Sequence, residues 1–205
     1  QRGPLWWAAH HRVHHRVADR PGDRHSPRLD GFWWAHMGWI TSRAHFRTDV
    51  REVPDLARYP ELRFLDRFDM LVPAALAASL LGLGAWLGAA FPASGASGLQ
   101  FLAWGFFVST VVLFHGTCTI NSLAHRMGSR RFETPDDSRN SLLLALVTLG
   151  EGWHNNHHRY PGSAAQGFRP REIDPTLWGL RLLERVGLVS DLHPVPARLR
   201  EEAAR

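Results

Sequence analysis

Six of the chain's 13 histidines fall into two copies of one pattern: HRVHH, with His11, His14 and His15, and HNNHH, with His154, His157 and His158. On a helix, positions i, i+3 and i+4 share a face, so each copy offers three imidazoles to one volume. A pair at i, i+4 is a common zinc spacing, but six imidazoles from two helices exceed what one tetrahedral zinc takes. The count fits a dinuclear site, and imidazole serves iron, zinc and copper alike. The single cysteine, Cys118, excludes a Cys-rich zinc site and an internal disulfide framework. Histidine and carboxylate remain as the ligand types.

The elements that must position these groups include two apolar segments, residues 70–91 and 99–120. Neither carries a formal charge apart from a possible one on His115, and at about 1.5 Å per residue each can cross a hydrocarbon core of about 30 Å. The short linker PASGASG between them predicts an antiparallel hairpin with both outer ends on one side of a membrane. Arg63 and Arg67 precede it, and Arg126, Arg130 and Arg131 follow it, which assigns both flanks to the cytoplasm. The contrary reading is a buried hairpin in a large soluble protein, which the lengths and the exclusion of charge oppose.

Three regions follow. Residues 1–69 form a polar, partly interfacial flank with the first His cluster, 70–120 the hairpin, and 121–205 a polar flank with the second cluster. In the first flank the sequence predicts a helix over 6–17, a Pro/Gly/Asp-rich loop over 19–27 and a Trp-dense interfacial helix over 31–40. In the last it predicts a helix over 141–158, a Gly/Pro loop and an amphipathic helix over 175–187. The net charge of +5 comes entirely from Arg, interspersed with Asp and Glu, so there is no basic run of the kind that binds nucleic acid. The absence of Lys suggests a GC-rich bacterial genome. No signal peptide precedes the first cluster, and the start at Gln1 reads as a truncation.

A third polar contribution stands at the end of the second apolar segment, in NSLAH. Asn121 and His125 are four residues apart, with Thr117 one turn earlier. Polar groups at a membrane helix end point to a bundle interior or a water-filled cavity. A hydrogen-bonded interfacial cap is the alternative.

At HRVHH, NSLAH and GEGWHNNHH together the sequence resembles the membrane fatty acid desaturases, especially bacterial acyl-CoA desaturases of the delta-9 type. GPLWWAAHHRVHH, DRPGDRHSPRLDGFWWAHMGW and EIDPT extend the likeness over most of the chain. The resemblance implies an all-α, integral-membrane helical bundle of four spans, two of them present here, with a cytosolic helical cap carrying a His-rich di-iron site. It implies His11, His14, His15, His125, His154, His157 and His158 as ligands to two irons, with Asn121 acting through a bound water. The family's first box, of the form HxxxxH, has no counterpart in this chain, so the isolated chain is expected to bind two irons poorly and not to turn over.

The implied reaction uses O2 to place a cis double bond in a saturated acyl chain carried on CoA or a lipid. An unactivated C–H bond offers no acidic proton, so a metal oxidant must act, while the protein orients the chain in a dry tunnel. Thr117, His115 and Trp7 are candidates to line that tunnel; for His115, packing across the bundle is the other reading. Electrons would come from a separate ferredoxin, cytochrome or reductase, since no GxGxxG fingerprint is present. The expected location is the bacterial inner membrane, multi-pass, with the His boxes on the cytoplasmic side and no nucleic-acid partner. To orient the imidazoles, Glu151 is a candidate, three residues before His154 and seven before His158 on the expected helix; Asp136 and Asp137 are others. His36 and His45 read as interfacial. Competing readings are a lipid or carotenoid hydroxylase with similar clusters and an inactive truncated relic.

Overall fold

The computed structural model describes residues 2–204; Gln1, on which the reading of a truncated start rests, lies outside them. The described residues are helical, with no β-strand and only two isolated antiparallel bridges, Ser129 with Asn140 and Asn140 with Trp153. They form two compact units. One runs to Val13 and resumes over Arg43–His115; the other comprises His14–Ser42 and the chain from Gly116 onward.

In the first unit, the helix Pro4–Val17 begins with proline at its first position, where the missing N–H would have had no helical partner. Leu5 and Ala9, one turn apart, are buried against Val53, with Leu56 and Leu62 packed alongside. The start is pinned by Asp66, which accepts from the Trp6 backbone N–H at 2.7 Å and from the Thr48 hydroxyl at 2.8 Å. Arg12 grips Asp55 through two bonds of 2.6 and 2.8 Å. With both partners about half exposed, that pair stabilises little. The helix runs on into the second unit from His14.

The hairpin follows from composition. The first span, Leu71–Ala90, and the second, Gly98–Ser122, are 20 and 25 residues long, and both present apolar side chains outward. A helix apolar all round but exposed is the reverse of a soluble core helix. Gly84 and Gly88 form a small-xxx-small pair that lets the backbones approach. A Cβ on Gly84 would meet Ser97 O at 2.5 Å, and one on Gly88 would meet Ala96 O at 2.3 Å. The linker turns on Gly95, whose φ of 65° is left-handed. Within the second span, Ala103–Val108 is a wider π turn, and Ser109 donates its hydroxyl back to Gly105 O at 2.6 Å.

The second unit holds the helices of the aromatic segment and of the chain beyond the second span. Its core gathers Phe132, Phe168, Val195, Leu199 and Ala203, with a smaller cluster of Ile120, Ala124 and Leu144. Burying a side chain such as Phe132 stabilises by about 1.5–3 kcal/mol. The aromatic segment is helical as expected, though Trp34–Gly38 is a π turn before Trp39–Thr41. The amphipathic helix Pro175–Arg185 is capped by Asp174, which accepts from Leu177 N–H at 3.0 Å. The helix expected over 141–158 is instead two short ones, Leu142–Val147 and His154–Arg159. Leu149 (φ 57°) and Gly150 (φ 119°) adopt left-handed backbone that no helix accommodates.

Candidate metal centre

Within the second unit, four imidazoles supplied by three segments converge. One ring nitrogen from each of His14, His125, His154 and His158 lies within 4.8 Å of the others. His14 comes from the helix Pro4–Val17 and His154 and His158 from the helix His154–Arg159. His125 follows the second span, which ends at Ser122 and continues as a turn closed by Leu123 O, accepting from Arg126 and Met127 N–H. His125 therefore lies just past the helix on which the sequence placed it. A second juxtaposition lies beside the first: His15 Nε2 and His157 Nε2 are 2.9 Å apart.

The helix His154–Arg159 is only six residues, too short to persist alone. The two asparagines of HNNHH, both fully buried, hold it in place. Asn155 Oδ1 accepts from the Arg131 and Phe132 N–H groups at 2.9 and 2.8 Å, and its amide donates to Phe132 O at 3.1 Å. Asn156 Oδ1 accepts from the Asn140 amide at 2.7 Å, while its own amide donates to Gln166 O and Glu172 at 2.9 Å. Glu172 also pairs with Arg131. These residues read in the sequence as spacers; buried amides with every hydrogen bond directed are anchors.

Three imidazoles are oriented by carboxylates. Asp23 accepts from His14 Nδ1 at 3.0 Å, Asp19 from His125 Nδ1 at 2.6 Å and Asp136 from His158 Nδ1 at 3.0 Å. A neutral imidazole that donates from Nδ1 keeps a lone pair on Nε2. Among the described residues His158 Nε2 is buried with no hydrogen-bond partner, and so is His154 Nδ1. The Nε2 atoms of His125 and His154 stand 3.1 Å apart, and buried nitrogens of this kind are unfavourable until a cation sits among them, so this donor set suits a metal ion.

Burial first, then the like charge of neighbouring histidines, pushes His14 and His157 down to about 3; burial lowers His15 to about 4. His154 and His158 are driven well below 6.5 by the same causes. Burial acts to raise Asp23, but hydrogen bonds from His14 and His25 outweigh it and hold the carboxyl well below its usual range. These five histidines are thus neutral, as ligands must be, and Asp23 is charged at neutral pH. Between pH 6.5 and about 3 the unfolded chain takes up protons that the folded histidines refuse, so stability falls as pH falls through this window. We expect the melting temperature of the metal-free chain in detergent to be level near neutrality and to drop progressively below pH 6.5. A melting temperature unchanged from pH 7 to 5, followed by circular dichroism, would contradict this.

The remaining candidates are dispersed. His11 stands one turn before His15 on the same helix, its ring stacked on Trp7 at 4.3 Å. Asn121 and Thr117 are half-buried, and His115 is exposed beside Phe114. Glu151 lies in the turn before His154 and accepts no imidazole N–H among the described residues; burial and nearby Asp174 raise its pKa. The expected helical register failed because Leu149 and Gly150 interrupt the helix. Asp137 turns its carboxylate to Arg28 at 3.3 Å, and its neighbour Asp136 meets the histidine. His36 is buried with Nδ1 2.9 Å from the Ser122 hydroxyl, and His45 offers its C=O to the Trp6 indole. Sequence reasoning missed Asp19 and Asp23; the signal was two aspartates four apart around the Pro21-Gly22 turn, the kind of loop that folds carboxylates inward.

A sequence model of the family described as fatty acid desaturase matches residues 1–169. The chain is 38% identical over 200 residues to the sn-2 palmitoyl-lipid 9-desaturase of Nostoc sp. (strain 36), covering 96% of this chain and 66% of that protein. It is 35% identical over 193 residues to the sn-1 stearoyl-lipid 9-desaturase of Anabaena variabilis, covering 94% and 66%. It is 35% identical over 202 residues to an acyl-CoA 5-desaturase of Anemone leveillei, covering 97% and 58%. The chain belongs to the fatty acid desaturase family. It is a membrane protein of that family with histidine clusters able to bind metal, and it spans 66% or less of the length of these curated relatives.

Proposed function

We propose that this chain carries the metal-binding part of an O2-dependent desaturase that places a cis double bond in a saturated acyl chain. The observation that carries the proposal is the convergence of His14, His125, His154 and His158, with buried nitrogens left for a cation. The proposed ligands are His11, His14, His15, His125, His154, His157 and His158, with Asn121 contributing through a water; of these, His14, His125, His154 and His158 form one group and His15 and His157 meet beside it. Two irons, when bound, supply with O2 the oxidising power to take hydrogen from adjacent methylenes. The chain's own residues hold the imidazoles aimed, exclude water by burial and keep His125 just past the end of the second span. Thr117, on the turn before Asn121, is the first candidate to line the acyl path, with Trp7 and His115 as further candidates.

The relatives' names support an acyl substrate on a glycerolipid or on CoA. The chain acts as one desaturase domain, with electrons delivered by a separate ferredoxin, cytochrome or reductase. Arginines on both flanks of the hairpin support a bacterial inner-membrane location with the histidines on the cytoplasmic side. The test is expression in its natural reading frame in a host supplying ferredoxin and its reductase, with acyl products analysed by mass. A product lighter by two hydrogens is expected. Gain of one oxygen would mark a hydroxylase and overturn the assignment.

A further inference from the structure

We infer that Asp19, Asp23 and Asp136 form a carboxylate shell that fixes the tautomer and aim of His125, His14 and His158, and so sets how tightly the site holds metal. The inference rests on the metal-site reading above and extends it to loop residues that lie outside the ligand-bearing helices.

All three carboxylates are buried, each with 7% or less of its surface exposed. Each is also pinned from behind by neutral donors. Asp19 Oδ1 accepts from the Ser26 hydroxyl at 2.6 Å, and its Oδ2 accepts from Asp137 N–H at 2.9 Å as well as from His125. Asp23 accepts from Asp19 N–H at 2.8 Å and from His25 N–H at 3.2 Å. Asp136 Oδ1 accepts from the Thr134 hydroxyl at 3.0 Å and Ser138 N–H at 2.9 Å. A carboxylate fixed in this way can accept the Nδ1 proton in only one direction, which leaves Nε2 facing inward.

Charge gives the second reason. Imidazoles are neutral ligands, so a pair of divalent cations held by them alone would be buried positive charge without compensation. Three carboxylates one hydrogen bond removed supply negative charge without occupying coordination positions. His25 strengthens the arrangement: its Nδ1 donates to Asp23 at 3.1 Å, and its ring packs edge-on against His14 at 4.2 Å and Trp39 at 4.6 Å. The loop from Asp19 to Ser26 thereby acts as part of the metal centre. Asp19 holds a left-handed φ of 56° to reach His125, a conformation that aspartate tolerates better than most residues.

The test uses the full chain in detergent with Co(II) as the probe. Asp23→Asn, Asp19→Asn and Asp136→Asn keep an acceptor oxygen but remove the charge; each should weaken Co(II) binding about 10- to 100-fold and alter its ligand-field spectrum. Asp137→Asn and Glu151→Gln, on neighbouring carboxylates that touch no imidazole, should leave both unchanged. A merely structural aspartate would lower the melting temperature without moving the spectrum of the metal that still binds. A second measurement needs no variant: 15N spectra of histidine-labelled, metal-free chain should show His14, His125 and His158 protonated on Nδ1. Unchanged affinity and spectrum in the Asn variants, or Nε2-protonated rings, overturns the shell while leaving the metal site standing. Failure of the wild-type chain to bind Co(II) overturns the metal site itself and the shell with it.

Discussion

His125→Ala abolishes metal loading of the four-imidazole group. His125 is the one member supplied from the end of the second span, and its Nε2 lies 3.1 Å from His154 Nε2 at the centre of the cluster. Removing it deletes a ligand and also strips the Asp19 carboxylate of its imidazole partner, leaving a buried anion with less compensation. Losing an outer partner of a ligand costs about 10- to 100-fold in metal affinity. Losing the ligand and stranding that partner together should exceed this. Metal titration of the purified variant checks the effect, with His193→Ala, an exposed position in the same unit, expected to match the wild type. An affinity within about tenfold of wild type for His125→Ala would remove His125 from the site.

Gly152→Ala is the second large effect, and it acts through backbone. A Cβ at residue 152 would stand 2.0 Å from Ala145 N and 2.5 Å from Leu144 C. These are main-chain atoms of the helix Leu142–Val147, which cannot swing aside as a flexible side chain can. The same turn is tied by Ser141 N–H donating to Gly152 O at 2.8 Å, so relieving the clash breaks the turn that delivers His154. We expect a cost at or above the upper end of the about 1–3 kcal/mol typical of overpacking, with metal binding lost in parallel. Gly179→Ala provides the contrast. A Cβ there meets nothing within 4 Å in a helix, so the substitution should be neutral or stabilise by about 0.5–1 kcal/mol. Thermal melts of the two variants should diverge in opposite directions; equal melting temperatures would show that the turn is not rigid.

What could be read from the sequence was whatever depends on local periodicity. The helix bearing HRVHH, the two spans and the amphipathic helix Pro175–Arg185 each follow from spacing or from a run of apolar residues, and their ends fell within a few residues of expectation. The convergence of the two His patterns was foreseeable from their duplication, because three imidazoles on a face need a common object. Two things were not legible. The helix expected over 141–158 does not pass Leu149-Gly150, where GEG between the apolar run 142–149 and the polar HNNHH is a turn signal, and with that break Glu151 leaves the imidazole face. The aspartate partners depend on distant pairing: Asp19 and His125 are 106 residues apart, and no local pattern joins a loop to the end of a membrane span. Asp136 and Asp137 are chemically equal in sequence, and only the fold of the turn around Thr134 and Ser138 decides which faces the ring.

The claim on which the rest depends is that imidazoles from the helix Pro4–Val17, from the end of the second span and from HNNHH meet around metal. X-ray absorption at the iron edge on the Fe(II)-loaded chain in detergent tests it most directly. The account predicts bound iron with a first shell of nitrogen and oxygen scatterers and the outer-shell pattern of imidazole rings, lost in His125→Ala. Iron that fails to bind, or that binds with no imidazole signature, would contradict it.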